Sequence, residues 1–191
     1  MKEIIDNILE SRISVIAYSS SHESHAMSII NMIPNRIDIG VNDSFSSSDI
    51  QNFFNTLSYK RDYKINYLLG NNVQYIVVNI PNILFDDDDQ SDKVYMKKSV
   101  FYKGIETMVY QMNNTESDLN YRLIYLTNTY NSPHKNFNII GGTSIIYSSD
   151  FVISIRENIL KVIKDRNGAN KEYDIRKEFR DYNIIQLFNE I

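Results

Sequence analysis

The stretch AYSSSHESH, Ala17 to His25, sets Ser19, Ser20, Ser21 and Ser24 beside two imidazoles, His22 and His25, and the carboxylate of Glu23. Three kinds of chemistry use such residues. A serine hydroxyl within reach of an imidazole is the core of a nucleophile and base pair. Neutral imidazoles with a carboxylate suit zinc and similar ions. A loop between a strand and a helix can cradle phosphates, provided that glycines let the backbone close around them and a lysine balances their charge. The stretch follows an apolar run and precedes a helix-like segment, so its position suits the third use. Its residue types do not, because it has neither the two glycines nor the lysine, and Glu23 reverses the charge. No third residue that would orient a serine-histidine pair stands out, so no catalytic set is assigned. For a metal, His22 and His25 would need His134, which lies far along the chain. That spacing matches no standard zinc signature, and the expectation is no metal.

Composition bounds what the elements around this stretch can be. A chain of 191 residues, 42% of them hydrophobic, can bury one substantial core, so a single domain is expected over 1–191, its core at about 12–174. The sequence has no cysteine, which excludes disulfides and cysteine-based zinc sites. No apolar stretch is long enough to span a membrane, so a soluble intracellular protein is expected. A formal charge of -4 argues against indiscriminate binding to nucleic acid, although a local basic face remains compatible with it.

Hydrophobic periodicity predicts a short helix over Glu3 to Glu10 and a buried strand over Ile13 to Ala17. Ser24 is positioned to cap a helix whose Met27, Ile30 and Ile33 recur at helical spacing, with Pro34 ending it. A second strand is expected over Ile37 to Val41, then a helix with Ile50, Phe53, Phe54 and Leu57 on one face, and a short strand over Ile65 to Leu69. Val73 to Ile80 is rich in β-branched residues and reads as a strand. A long helix from Val94 to Met112 carries Phe101, Ile105, Met108 and Met112 along one stripe, and Tyr121 to Thr127 is another buried strand. Beyond a polar loop through Gly141 and Gly142, strands over Phe151 to Ile155 and Asn158 to Ile163 pair around a turn at Arg156 and Glu157. A last helix covers 176–189, with Ile175, Phe179, Tyr182, Ile185 and Phe188 packing on the sheet or docking on a partner. This alternation implies an α/β fold: a mostly parallel sheet flanked by helices, with antiparallel edge strands.

Four short motifs late in the chain carry a family resemblance: Thr127-Asn128-Thr129-Tyr130, Gly141-Gly142-Thr143, Tyr147-Ser148-Ser149-Asp150 and Lys164-Asp165-Arg166. In order and spacing they resemble the C-terminal half of the ATPase core of RecA-like recombinases, above all the UvsX recombinases of T-even phages. The resemblance covers roughly a quarter of the chain and implies a RecA-like P-loop NTPase core. The phosphate-binding pattern GxxxxGK[ST] then falls on Ala17, Tyr18 to Ser21, His22, Glu23 and Ser24, of which only Ser24 fits. The strand whose last residue should be a magnesium-holding Asp ends in Asn79, and Asp43-Ser44-Phe45 lacks the water-activating Glu. Phosphoryl transfer depends on positioning and charge neutralisation, so joint loss of these parts implies loss of ATPase activity, with no cofactor expected.

The resemblance also implies two DNA-contacting loops. The first would contain Asp86, Asp87, Asp88 and Asp89, which repel phosphate. The second, Tyr130 to Gly142, offers His134, Lys135 and Phe137 for charge and stacking, and Gly141 and Gly142 for close backbone approach. Lys164 and Arg166, with Lys97, Lys98, Lys103, Lys161 and Lys171, are candidates to extend a positive track. The resemblance also implies an N-terminal segment packing onto a neighbour, and with about a dozen residues ahead of the first expected core strand, filament assembly in the usual way is not expected. The functional expectation is a catalytically inactive phage relative that acts as an accessory or regulatory binding protein in recombination, replication or repair. Its expected partners are single-stranded DNA and a recombinase or replication protein, in the cytoplasm of the infected cell. The alternatives are an active DNA-dependent ATPase with an unconventional loop, and a structural or host-interaction protein that reuses the fold without binding DNA.

Overall fold

A computed structural model of the chain describes residues 1–40, 73–80, 92–115, 120–132, 135–139, 142–165 and 171–189. In chain order these form α1 (Lys2–Glu10), β1 (Ile13–Tyr18), a 3-10 turn (Ser20–His22), α2 (Glu23–Asn31), β2 (Arg36–Gly40) and β3 (Val73–Ile80). There follow α3 (Asp92–Thr115), β4 (Asn120–Ser132), β5 (Lys135–Ile139), α4 (Gly142–Ser148), β6 (Phe151–Arg156), β7 (Ile159–Lys164), β8 (Glu172–Asp174) and α5 (Ile175–Asn189). The fold is mixed α/β, a mostly parallel sheet flanked by helices. The helix expected at 50–57, the strand at 65–69 and the residues Asp43 and Asp86 to Asp89 lie outside the described residues.

The chain divides into two compact units, Met1–Ile33 with Ile124–Ile191, and Pro34–Leu123. In the first, strands lie in the order β4, β1, β6, β7, β8. β1 and β6 are parallel, with Ser14 opposite Phe151 and Tyr18 opposite Ile155. Both are buried along nearly their whole length, which is why each reads as a continuous apolar run rather than an alternating one. β6, β7 and β8 are antiparallel, and β7 alternates between buried Leu160 and Val162 and more open neighbours, the pattern of a half-covered strand.

Three local devices fix the chain entering and leaving these strands. Ser11 ends α1 by sending both its N–H and its hydroxyl to the Asn7 carbonyl, at 3.2 and 2.7 Å. Asp150 Oδ2 accepts from the N–H groups of Arg12 and Ile13, at 2.9 and 3.3 Å, while its own N–H donates to the Ile13 carbonyl at 2.8 Å. The head of β1 is thereby tied to the head of β6. Asp174 Oδ1 caps α5 by accepting from Arg176 and Lys177, at 3.0 and 3.2 Å.

The second unit pairs β2 with β3 in parallel, Arg36 opposite Tyr75 and Gly40 opposite Asn79. Asn35, at a φ of 48°, turns its carbonyl to the Tyr75 N–H at 3.1 Å and to the Gln74 side-chain amide. α3 buries Tyr102, Ile105 and Val109, and burial pushes the Tyr102 hydroxyl far above the usual tyrosine range. Near its end, Asn113 grips Tyr121 twice, accepting from its N–H at 2.6 Å and donating to its carbonyl at 3.0 Å.

Several expectations need correction. α2 buries Ala26, Ile29, Ile30 and the following Ile33 while Met27 is 36% exposed, because small Ala26, rather than methionine, faces inward beside β1. Among the described side chains of α3 the buried stripe is Tyr102, Ile105 and Val109, with Met108 and Met112 only half-buried, while the Phe101 side chain lies outside the described ones. The segment expected to be a loop from Tyr130 to Gly142 is largely regular. β4 runs on to Ser132, β5 folds back against it, and Gly142 opens α4.

The β6–β7 turn lies one residue later than its expected place, at Glu157 and Asn158. Both have positive φ, 53° and 61°, as a two-residue type I′ connection requires. Glutamate suits that conformation poorly, since its Cβ approaches the following carbonyl. Glu157→Asn should therefore raise stability by about 0.5–1 kcal/mol, and urea unfolding of the two proteins measures it.

Candidate functional site

The stretch with the chemical side chains sits at the C-terminal end of β1. Because β1 and β6 run parallel, this end lies beside the β6–β7 turn, and the Ser19 N–H continues the ladder by donating to the Ile155 carbonyl at 3.0 Å. The chain then tightens into the 3-10 turn, closed by the His22 N–H on the Ser19 carbonyl at 2.7 Å, and α2 begins at Glu23. His22, not Ser24, occupies the cap position; Ser24 lies within the first turn, where its carbonyl receives the Ser28 hydroxyl at 2.8 Å. Ala17 is a fully buried strand residue opposite Ser154, within the sheet and not in the loop.

The His22 ring is buried, at 9% exposure, and both of its nitrogens are engaged. Nε2 lies 3.0 Å from the Asn158 N–H, a donor, so Nε2 must supply a lone pair. The ring proton therefore sits on Nδ1, which faces Ser19 Oγ at 2.8 Å and Ser21 Oγ at 2.9 Å. The Asn158 carbonyl in turn accepts the Ile175 N–H at 2.9 Å, so one turn residue is held by the loop on one side and the start of α5 on the other. His25 stands next to this bridge, its ring centre 5.7 Å from that of His22 and 5.6 Å from that of Phe179 on α5. Its Nδ1 is buried without a hydrogen-bond partner. Burial, then the neighbouring His22, then Arg176, hold the His25 imidazole below the usual histidine range.

This geometry bears on each of the three chemistries. The serine-histidine distances resemble a nucleophile and its base, but the proton is on the nitrogen that faces the hydroxyls, so the ring donates where a base would accept. Among the described residues no metal set is assembled. His22 has no free lone pair, His134 lies outside the described residues, and among the described residues no group of three or more metal-binding side chains occurs. A triphosphate does not fit the residues present. Glu23 places an exposed carboxylate in the first turn of α2, satisfying the positive end of that helix with the protein's own charge. That charge also reaches Tyr18, whose hydroxyl is pushed up first by burial and then by Glu23.

Among the described residues, the other candidates lie on separate elements. Asn79 is half-buried near the end of β3 in the second unit. Lys135 and Phe137 occupy alternate positions of β5, Gly142 opens α4, and Gly141 and Arg166 lie outside the described residues. Lys164 has a definite job at the end of α4. Its ammonium donates to the Ile146 and Tyr147 carbonyls, both at 2.9 Å, where a cation complements the helix terminus. Lys161 pairs with Glu172 at 2.7 Å, and Lys171 pairs with Glu3, which also accepts from the Tyr173 hydroxyl at 3.1 Å. Lys171 and then Tyr173 hold the Glu3 carboxyl below the usual range, though the exposure of this group makes the pair a weak tie. Asp150, the last residue of the third motif, acts as the strand staple described above. The sequence pattern does not single out Asn158, because it puts the turn one residue earlier; Glu-Asn between two runs rich in β-branched residues is the available signal.

No family model matches the chain, and no curated protein matches it in sequence.

Replacing His22 with leucine keeps the bulk and leaves the Asn158 N–H without its acceptor. His22→Leu should cost roughly 1–3 kcal/mol in urea unfolding. A fluorophosphonate probe, which labels activated serines, should leave Ser19 and Ser21 unmodified in the native protein; stoichiometric labelling at either would show that the ring acts as a base.

Proposed function

We propose that this chain is a catalytically inactive relative of the RecA-like recombinases, nearest to the phage UvsX type. In this reading it serves as an accessory or regulatory binding protein in DNA recombination, replication or repair, in the cytoplasm of the infected cell. The observation that supports it best is the strand–loop–helix at β1 and α2, where a nucleotide-binding relative would present glycines and a lysine. Here a buried histidine bridges to the β6–β7 turn and a glutamate stands at the helix terminus. A carboxylate about 4 Å from a phosphate charge is repelled by about 1 kcal/mol even in water, and more where water is excluded. The sheet survives without nucleotide because its strands are held by apolar burial and by contacts such as those of Asp150, none of which needs a phosphate. The four late motifs supply the link to recombination, and single-stranded DNA and a recombinase or replication protein are the partners that follow from it.

A second reading has its own observation. Lys161, Lys164 and Lys171, three of the cations proposed for a positive track, are engaged by groups of the protein itself. That arrangement favours a structural or host-interaction protein that reuses the fold without DNA.

Two measurements separate the possibilities. Calorimetric titration with magnesium-ATP should show no binding up to millimolar nucleotide, and micromolar affinity would overturn the inactive reading. Fluorescence anisotropy with labelled single-stranded DNA should show binding that weakens steeply with salt, as counterion release requires. Absence of binding at low salt would favour the second reading.

A further inference from the structure

The bridge at His22 works in only one protonation state. Its Nε2 accepts the Asn158 N–H only while that nitrogen carries no proton, since two donors facing each other at 3.0 Å repel. Through Asn158 the same ring holds the Ile175 N–H and hence the first residue of α5. His25, between His22 and Phe179, adds a second titratable ring to the same contact. Its buried, unpartnered Nδ1 has nothing nearby to receive a proton's hydrogen bond. The charged groups on the surrounding elements do little to favour imidazolium here. Arg176 on α5 opposes it, Arg156 and Glu157 of the turn pair with each other at 3.2 Å, and Glu23 on α2 is exposed to solvent.

We infer that His22 and His25 form an acid-sensitive latch, which in its neutral form ties the β6–β7 turn and the start of α5 to the β1–α2 loop and on protonation lets them go. The lowered affinity of His25 for a proton agrees in sign. A group held neutral by folding contributes stability above the ordinary histidine range, and that contribution is lost as pH falls through its folded value. The latch does not depend on nucleotide or DNA binding, so it stands or falls apart from the functional proposal.

Amide hydrogen exchange read by NMR from about pH 7.5 to about pH 5.5, each rate divided by the intrinsic rate at that pH, tests it. Protection of the Asn158 and Ile175 amides should fall by up to about tenfold per pH unit for each proton taken up. The Val162 amide, bonded to the Lys171 carbonyl at 2.8 Å in the same unit, should hold its protection over the same range. A double variant, His22→Asn with His25→Phe, keeps an acceptor and a ring but cannot titrate, and its Asn158 and Ile175 protection should stay flat. Constant protection of both amides in the wild-type protein overturns the latch, as does a parallel fall at Val162, which would mark general acid loosening. The wild-type comparison decides the matter if the double variant does not fold.

Discussion

One hydrogen bond, from the Asn158 N–H to His22 Nε2, joins the loop after β1 to the turn after β6, and the Asn158 carbonyl in that turn in its own right holds the helix that follows β8. It constrains more than position. By requiring a lone pair on Nε2 it fixes the tautomer, the tautomer sets the direction of the contacts to Ser19 and Ser21, and that direction removes the ring from service as a base or a metal ligand. A buried imidazole with both nitrogens engaged is a structural element with a specified orientation. Its removal would leave a part-buried backbone donor without a partner, the costly side of the hydrogen-bond asymmetry.

The same economy of function appears in the charged residues. Asp150 holds the head of β1 against that of β6, Lys164 closes the end of α4, and Glu23 meets the positive end of α2. Each is a residue type that commonly marks a binding site, and each here has an intramolecular partner or a helix terminus that accounts for it. The relation between residue type and role is therefore set by what the backbone leaves unsatisfied nearby.

Much of the fold was legible in the sequence because the strands are buried on both faces. Ile13 to Ala17, Val73 to Ile80 and Phe151 to Ile155 are short apolar runs rich in valine and isoleucine, and the structure places strands there with ends differing by at most a residue. The illegible parts have specific causes. β8 consists of Glu172, Tyr173 and Asp174, a strand by virtue of pairing with β7 and not of composition. α4 starts at a glycine in a polar stretch, which reads as loop until Lys164 and Ser149 are seen to satisfy its last carbonyls. Of the candidate site, the residues at its centre, His22, Glu23 and His25, could be named from spacing alone. Their roles could not, since these rest on Asn158, Ile175 and Phe179, which are 133 or more positions away in the chain.

The strand β8 has a further consequence. It stands last in the strand order, and a terminal strand offers unpaired backbone groups to any extended segment that drifts past. This one is three residues long, carries acids at both ends, and is preceded by Lys171 in its pair with Glu3. An incoming chain would find too short a template and would have to strip water from charged side chains to use it. This edge of the sheet is thus poorly suited to recruit copies of the chain into aggregates.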